Sequence, residues 1–167
     1  MKKKVFQFLF LLTIGHNAYA QTKLDSASLD FWSGQWNLSW KNPDGSTSKG
    51  VNFIEKTLDN KVIQENFKDE RGFKGTSISV FNPNKKSWHQ AWADNQGGYF
   101  NFIGAIDDGN FVFKTIPVEQ DGKVFIQKMI YRNVTLDGFT WDWMATQDGG
   151  ITWKLNWQIF YERKVKN

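Results

Sequence analysis

Phe31-Trp32-Ser33-Gly34-Gln35-Trp36-Asn37-Leu38-Ser39-Trp40 is the stretch on which the reading of this chain turns. Trp32, Trp36 and Trp40 are spaced by four, which would place them together on a helix or on one face of a strand. The residues between them favour the strand. Gly34, Trp36, Leu38 and Trp40 alternate with Gln35, Asn37, Ser39 and Lys41, a period of two. Asn42-Pro43-Asp44-Gly45 then stops the segment as a turn does. A half-buried strand with three indoles on its apolar face needs a large apolar surface to cover it.

The rest of the chain supplies that surface as a series of strand patterns and turns. The turns fall at Asn42 to Gly45, Asp59-Asn60, Asp69 to Gly72, Asn82 to Asn84, Asn95 to Gly98, Asp107 to Asn110, Glu119 to Gly122, Leu136 to Gly138 and Asp148 to Gly150. Several contain Asp-Gly, the dipeptide favoured where a tight hairpin needs positive φ. Between them lie roughly ten strands of about 8–13 residues. No stretch sustains a 3.6 period, which argues against helical crossovers between parallel strands. The expected fold is all-β: an antiparallel up-and-down barrel of about ten strands, closed because an open sheet would expose two edges. Lys23 to Asp30 is polar and short, and is expected to form an arm or one helical turn before the first strand.

Residues 1–20 have the form of a secretory signal. Lys2-Lys3-Lys4 is a basic start, Val5 to Gly15 an apolar run, and Ala18-Tyr19-Ala20 an A-x-A cleavage site. The apolar run is shorter than the roughly 20 residues a membrane span needs. The expectation is an exported chain, periplasmic or secreted, with residues 21–167 forming one domain. Three of the 21 basic residues lie in the leader, leaving 18 against 17 acidic ones. A near-neutral chain without a concentrated basic surface is a poor nucleic-acid binder. With no Cys, the fold rests on its core alone. All nine Trp fall after the leader.

Alternation assigns the faces. In the fifth strand Trp88, Gln90, Trp92 and Asp94 oppose His89, Ala91 and Ala93. Trp141 and Trp143 share a face of the ninth. Trp153, Leu155, Trp157, Ile159 and Tyr161 share a face of the tenth. The tryptophan-bearing sides are expected to point inward.

Two features resemble the lipocalin and fatty-acid-binding (calycin) superfamily: Gly34-x-Trp36 opening the first strand and Arg163 ending the last. The resemblance implies that Trp36 closes one end of the barrel with Arg163 packed across it. A wider set resembles a functionally uncharacterised family of exported bacterial lipocalin-like proteins. It comprises Phe31-Trp32-x-Gly34-x-Trp36, Glu65-Asn66, Phe81-Asn82-Pro83, Trp88-x-Gln90-x-Trp92-x-Asp94, Asp148-Gly149-Gly150-x-Thr152-Trp153 and Tyr161-x-Arg163. Members of that family often carry Tyr-Asp-Pro where this chain has Phe81-Asn82-Pro83.

Several chemistries are tested by the residues available. Thr146 to Trp153 fits the Asp-box pattern known from sialidases, where it is a hairpin turn away from the catalytic centre. It occurs once here and is read as structural. His89 is the sole histidine after the leader. It lies opposite Trp88 and Trp92, which points it outward and away from any haem in the lumen. One His and no Cys do not make a zinc site, and no G-x-S-x-G elbow supports a catalytic triad. No cofactor or metal is expected.

The tryptophans remain the main signal. Each buried aromatic removes about 150–250 Å² from water, enough for them to be core alone. A barrel of ten strands, however, is wider than the eight whose side chains just fill it. The expected site is a lumen lined by Trp88, Gln90, Trp92, Tyr131, Trp141 and Trp143, with Glu65, Ser77, Ser79, Asp94 and Gln127 as polar groups. Gly34, Trp36 and Arg163 serve as structural closure. Such a pocket suits a small apolar or aromatic molecule, bound without chemistry. Two other readings stand beside it. A carbohydrate-binding module requires coplanar indoles on the outside. A hydrolase or isomerase requires Glu65 or Asp94 near the other or near Tyr131 within the lumen.

Overall fold

The computed structural model describes residues 24–165. The leader expected over residues 1–20 lies outside them. The described chain begins with an arm and a 3-10 turn at Asp30–Trp32, followed by β1 (Gly34–Lys41), β2 (Thr47–Thr57), β3 (Val62–Asp69), β4 (Lys74–Asn82), β5 (Ser87–Asp94) and β6 (Tyr99–Asp107). After these come β7 (Asn110–Thr115), β8 (Val118–Gln120), β9 (Lys123–Arg132), β10 (Gly138–Thr146) and β11 (Lys154–Arg163).

Every strand pairing is antiparallel. Neighbours in sequence pair from β1 through β7, β9 follows β7, and β9–β10–β11–β1 completes the circle. The result is a closed ten-stranded up-and-down barrel, with β8 as a short addition beside β9. Closure leaves the ten barrel strands without a free edge. Hairpin chemistry matches the composition of the turns. Asp108-Gly109 and Asp121-Gly122 both hold two successive positive φ angles, at 49° and 70° and at 50° and 72°, as tight two-residue hairpins require.

Three local expectations are corrected. First, Trp32 is not in the first strand: it ends the 3-10 turn, and Gly34, at φ +135°, restarts the chain as β1. Only Trp36, Leu38 and Trp40 alternate inward along the strand, while Trp32 enters the barrel from below. Second, the seventh strand is split. Pro117 has no N–H to give the ladder, so β7 ends at Thr115 and β8 resumes beside β9 at Val118. The Thr115 hydroxyl accepts from the Gln127 N–H at 2.9 Å and bridges the gap.

Third, the tenth predicted strand does not keep one face throughout. The register shifts between Trp143 and Met144, so that Trp143 opposes Trp157 but Met144 opposes Leu155. The bulge turns Leu155 outward, where it is exposed. Trp153 leaves the strand and packs against Lys128, whose Nζ lies 3.9 Å from the ring centre. Its indole N–H donates to the Gly150 carbonyl at 3.0 Å. The Asp-box hairpin is held by Asp148, which accepts from Thr146 and from the Thr152 N–H and hydroxyl.

The apolar side of the sheet is inside. Outward positions of β1 are Gln35, Asn37, Ser39 and Lys41, and inward ones are Trp36, Leu38 and Trp40. A lipid-embedded barrel has the reverse arrangement, with a polar lumen. No helix among the described residues is long and apolar enough to cross a membrane.

Candidate functional site

Strand direction sorts the inward residues by height. The start of β1 and the end of β11 lie at one end of the barrel. The end of β5, the start of β6 and the start of β9 lie at the other.

The first end is shut. The Trp36 indole donates to the Trp32 carbonyl at 2.8 Å, which pins the 3-10 turn under the barrel. The Arg163 guanidinium lies 4.1 Å from the Trp36 ring centre. It donates to the carbonyls of Leu136 at 2.6 Å, Ser33 at 3.0 Å and Phe31 at 3.2 Å. One planar fork thereby ties three chain segments across the barrel mouth. Gly34 leaves room for it: a Cβ there would sit 2.5 Å from the Arg163 Nη1. Above this floor, Trp36, Phe139 and Tyr161 pack ring on ring, with Phe139 and Tyr161 stacked at 4.2 Å. Gly34, Trp36 and Arg163 thus meet at this end of the barrel.

The second end opens into a cavity of about 230 Å³. Its mouth is made by Phe73, Trp92, Asp94, Phe100, Trp143 and Trp157, and its deeper wall by Glu65, Tyr131, Trp141 and Tyr161, with Trp32 at the bottom. The indoles form a cage. Trp141 and Trp143, two apart on β10, are parallel within 6° at 6.1 Å, and Trp157 stands perpendicular to Trp141 at 5.9 Å. Trp40 backs Trp157 edge-on at 5.1 Å.

Of the expected pocket residues, Trp92, Tyr131, Trp141 and Trp143 line this cavity, as do the polar candidates Glu65, Asp94 and Gln127. Trp88, Gln90, Ser77 and Ser79 are inward and buried but do not line it. Trp88 sits low in the barrel, where its indole donates to the Asp25 carbonyl of the N-terminal arm at 2.8 Å. Gln90 donates to Ser79 at 3.0 Å and to Ser77 at 3.2 Å. It serves as a brace between β4 and β5. His89 points outward and its Nε2 is hydrogen-bonded to the Ser87 hydroxyl at 3.0 Å.

Residues beyond that set also belong to the cavity. Trp157, Ile159 and Tyr161 carried the inward alternation of the last strand, and Phe67 shares its face with Glu65. Phe73 has no such signal, because it lies in the turn between β3 and β4. It packs on Trp92 at 6.5 Å and reaches the mouth from there.

The polar part of the wall centres on Glu65, which is buried. Asn52 donates to Oε1 at 2.7 Å and Ser77 to Oε2 at 2.6 Å. Asn52 also reaches the Tyr161 hydroxyl at 3.2 Å. Burial, only partly offset by the Ser77 and Asn52 hydrogen bonds, raises the Glu65 pKa to about 7. Burial likewise pushes the hydroxyls of Tyr131 and Tyr161 upward, with the Glu65 charge adding to it. Asp94 is committed elsewhere. It accepts from the Gln96 and Gly98 N–H groups at 2.9 Å and from the Trp92 indole at 3.1 Å, closing its own turn.

The chain matches no protein-family profile and no curated protein sequence.

Proposed function

We propose that the protein is an exported carrier that holds a small apolar or aromatic molecule in the indole cage, without chemistry, as one of the lipocalin-like barrels its sequence resembles. One observation carries this reading: the aromatic core is packed shut at the Trp36–Arg163 end and leaves about 230 Å³ free at the other. A core built only for stability would fill its volume, since interiors are close-packed. A cavity of about 150 Å³ already accepts benzene, and drug-sized ligands need about 300 Å³ or more. The occupant is therefore a molecule of one or two rings.

The indoles favour an internal ligand over a carbohydrate stacked outside. No Trp is among the exposed large apolar side chains. Trp153, on the outer wall, already has Lys128 against its ring. One observation favours a second reading, a hydrolase or isomerase: Glu65 stands in the cavity wall close enough to Tyr131 to raise its pKa. A base poised near neutrality suits proton transfer. Turnover of a cavity-sized ester or ketone that is abolished in Glu65→Gln supports that reading over a carrier.

Native mass spectrometry of the protein purified from its own host tests the carrier role. The expected result is a bound one- or two-ring compound that solvent extraction releases. A ligand-free protein that also refuses toluene and naphthalene overturns it.

A further inference from the structure

We propose that the inner end of the cavity recognises a carbonyl oxygen, so that the ligand is a neutral aromatic ketone or aldehyde seated oxygen-first. This rests on the carrier reading and goes one step further, naming the ligand's polar group.

The argument begins with two donors that have nothing to bond. The Tyr131 hydroxyl and the Trp32 indole N–H are buried, each on a residue only 1% exposed, and neither has a hydrogen-bond partner. The Trp141 indole N–H acts on the Tyr131 hydroxyl as a hydrogen-bond donor at the limit of bonding geometry, and an indole can only donate, so the hydroxyl's own proton still has no acceptor. A buried donor left unmade costs about 1–3 kcal/mol. Both residues line the same cavity, and their rings meet edge to face at 5.6 Å. Every other indole at the shut end has found a carbonyl: Trp36 on Trp32 and Trp88 on Asp25. Two other buried atoms lack a partner, the Ser33 hydroxyl and the Asn52 Oδ1, but of the four only those of Trp32 and Tyr131 belong to residues that line the empty volume.

The chemistry of the wall then selects the acceptor. A carbonyl oxygen offers two lone pairs to two donors. A hydrocarbon leaves both donors unpaired. A carboxylate would enter a wall that holds Glu65 and Asp94 and no Lys or Arg, and an unpaired buried anion is strongly disfavoured. A cation would gain the indole faces. It would nonetheless meet two N–H and O–H dipoles directed against it, and a carboxylate whose oxygens are already bonded to Asn52 and Ser77. Burial keeps the Tyr131 hydroxyl protonated, and so a donor, across the physiological range.

Equilibrium dialysis with three probes of one size tests this: acetophenone, ethylbenzene and the 1-phenylethylammonium cation. Acetophenone is expected to bind at least tenfold tighter than ethylbenzene, and the cation weakest. Tyr131→Phe, which removes only the unpaired hydroxyl, should keep the fold. It should reduce acetophenone to near the ethylbenzene affinity and leave ethylbenzene unchanged. Equal binding of acetophenone and ethylbenzene, or tightest binding of the cation, overturns the carbonyl assignment while the carrier role stands. Refusal of all three probes overturns both.

Discussion

The two ends of this barrel are built from the same side chain and do opposite things. At the shut end, Trp36 and Trp88 are fully packed and their indole N–H groups are bonded to backbone carbonyls, while Arg163 lies across Trp36. At the open end, Trp92, Trp143 and Trp157 are only half-buried and surround free volume. An indole with its N–H on a carbonyl and its face under a cation is a structural plug. An indole with a ring edge on its neighbour and an empty face is a wall. The difference lies in what stands beside each ring, not in the residue type.

The comparison is broken most sharply by truncating one indole at each end. Trp36→Ala removes a closed-end ring and strands the Arg163 charge. It is expected to cost about 3–5 kcal/mol in urea unfolding. Trp143→Ala removes a half-exposed ring and is expected to cost about 1–3 kcal/mol. The larger effect of Trp143→Ala should appear in ligand affinity. Equal losses of stability at the two ends would erase the distinction.

Glu65 sharpens the contrast, because it is a charge placed in the cavity wall. Its pKa is raised from 4.5 to about 7 in the folded chain, so the native state holds the proton more tightly than the unfolded one. The stability this provides is fully present below about pH 4.5 and is lost as pH rises through about 7. The loss is about 3 kcal/mol across that window. Glu65→Gln should flatten this part of the pH–stability curve and be the more stable protein at pH 8. Parallel curves for the two proteins would contradict the burial of this carboxyl.

The shut end has its own smaller test. Gly34→Ala must place a Cβ at positive φ and 2.5 Å from the Arg163 guanidinium. It is expected to cost about 1–3 kcal/mol. Arg163→Ala should cost somewhat less, about 0.5–2 kcal/mol for the lost ring contact and more for the carbonyls it leaves. In the double variant the two losses should not add, since both break one contact.

Much of this was legible in the residues. Alternation placed Trp36, Trp92, Trp141, Trp143 and Glu65 inward, and the turns marked the hairpins that close the barrel. What alternation cannot carry is height along the barrel. Trp88 and Trp92 share a face of β5, yet one lies beneath the N-terminal arm and the other at the mouth. Period-two reasoning also fails at a bulge. One extra residue in β11 turned Leu155 outward and released Trp153 to the outer wall. Phe73 had no periodic signal, since a turn residue faces wherever its neighbours allow. The unpaired Tyr131 hydroxyl is a property of the packed site, which no local pattern announces.

The free volume among the indoles is the centre of the account, and xenon-pressurised crystals measure it directly. The expected result is a xenon atom within van der Waals distance of Trp92, Trp141 and Trp157, with the shut end around Trp36 empty of it. Rings collapsed on one another with no xenon between them would contradict a ligand-holding barrel and leave only a packed core.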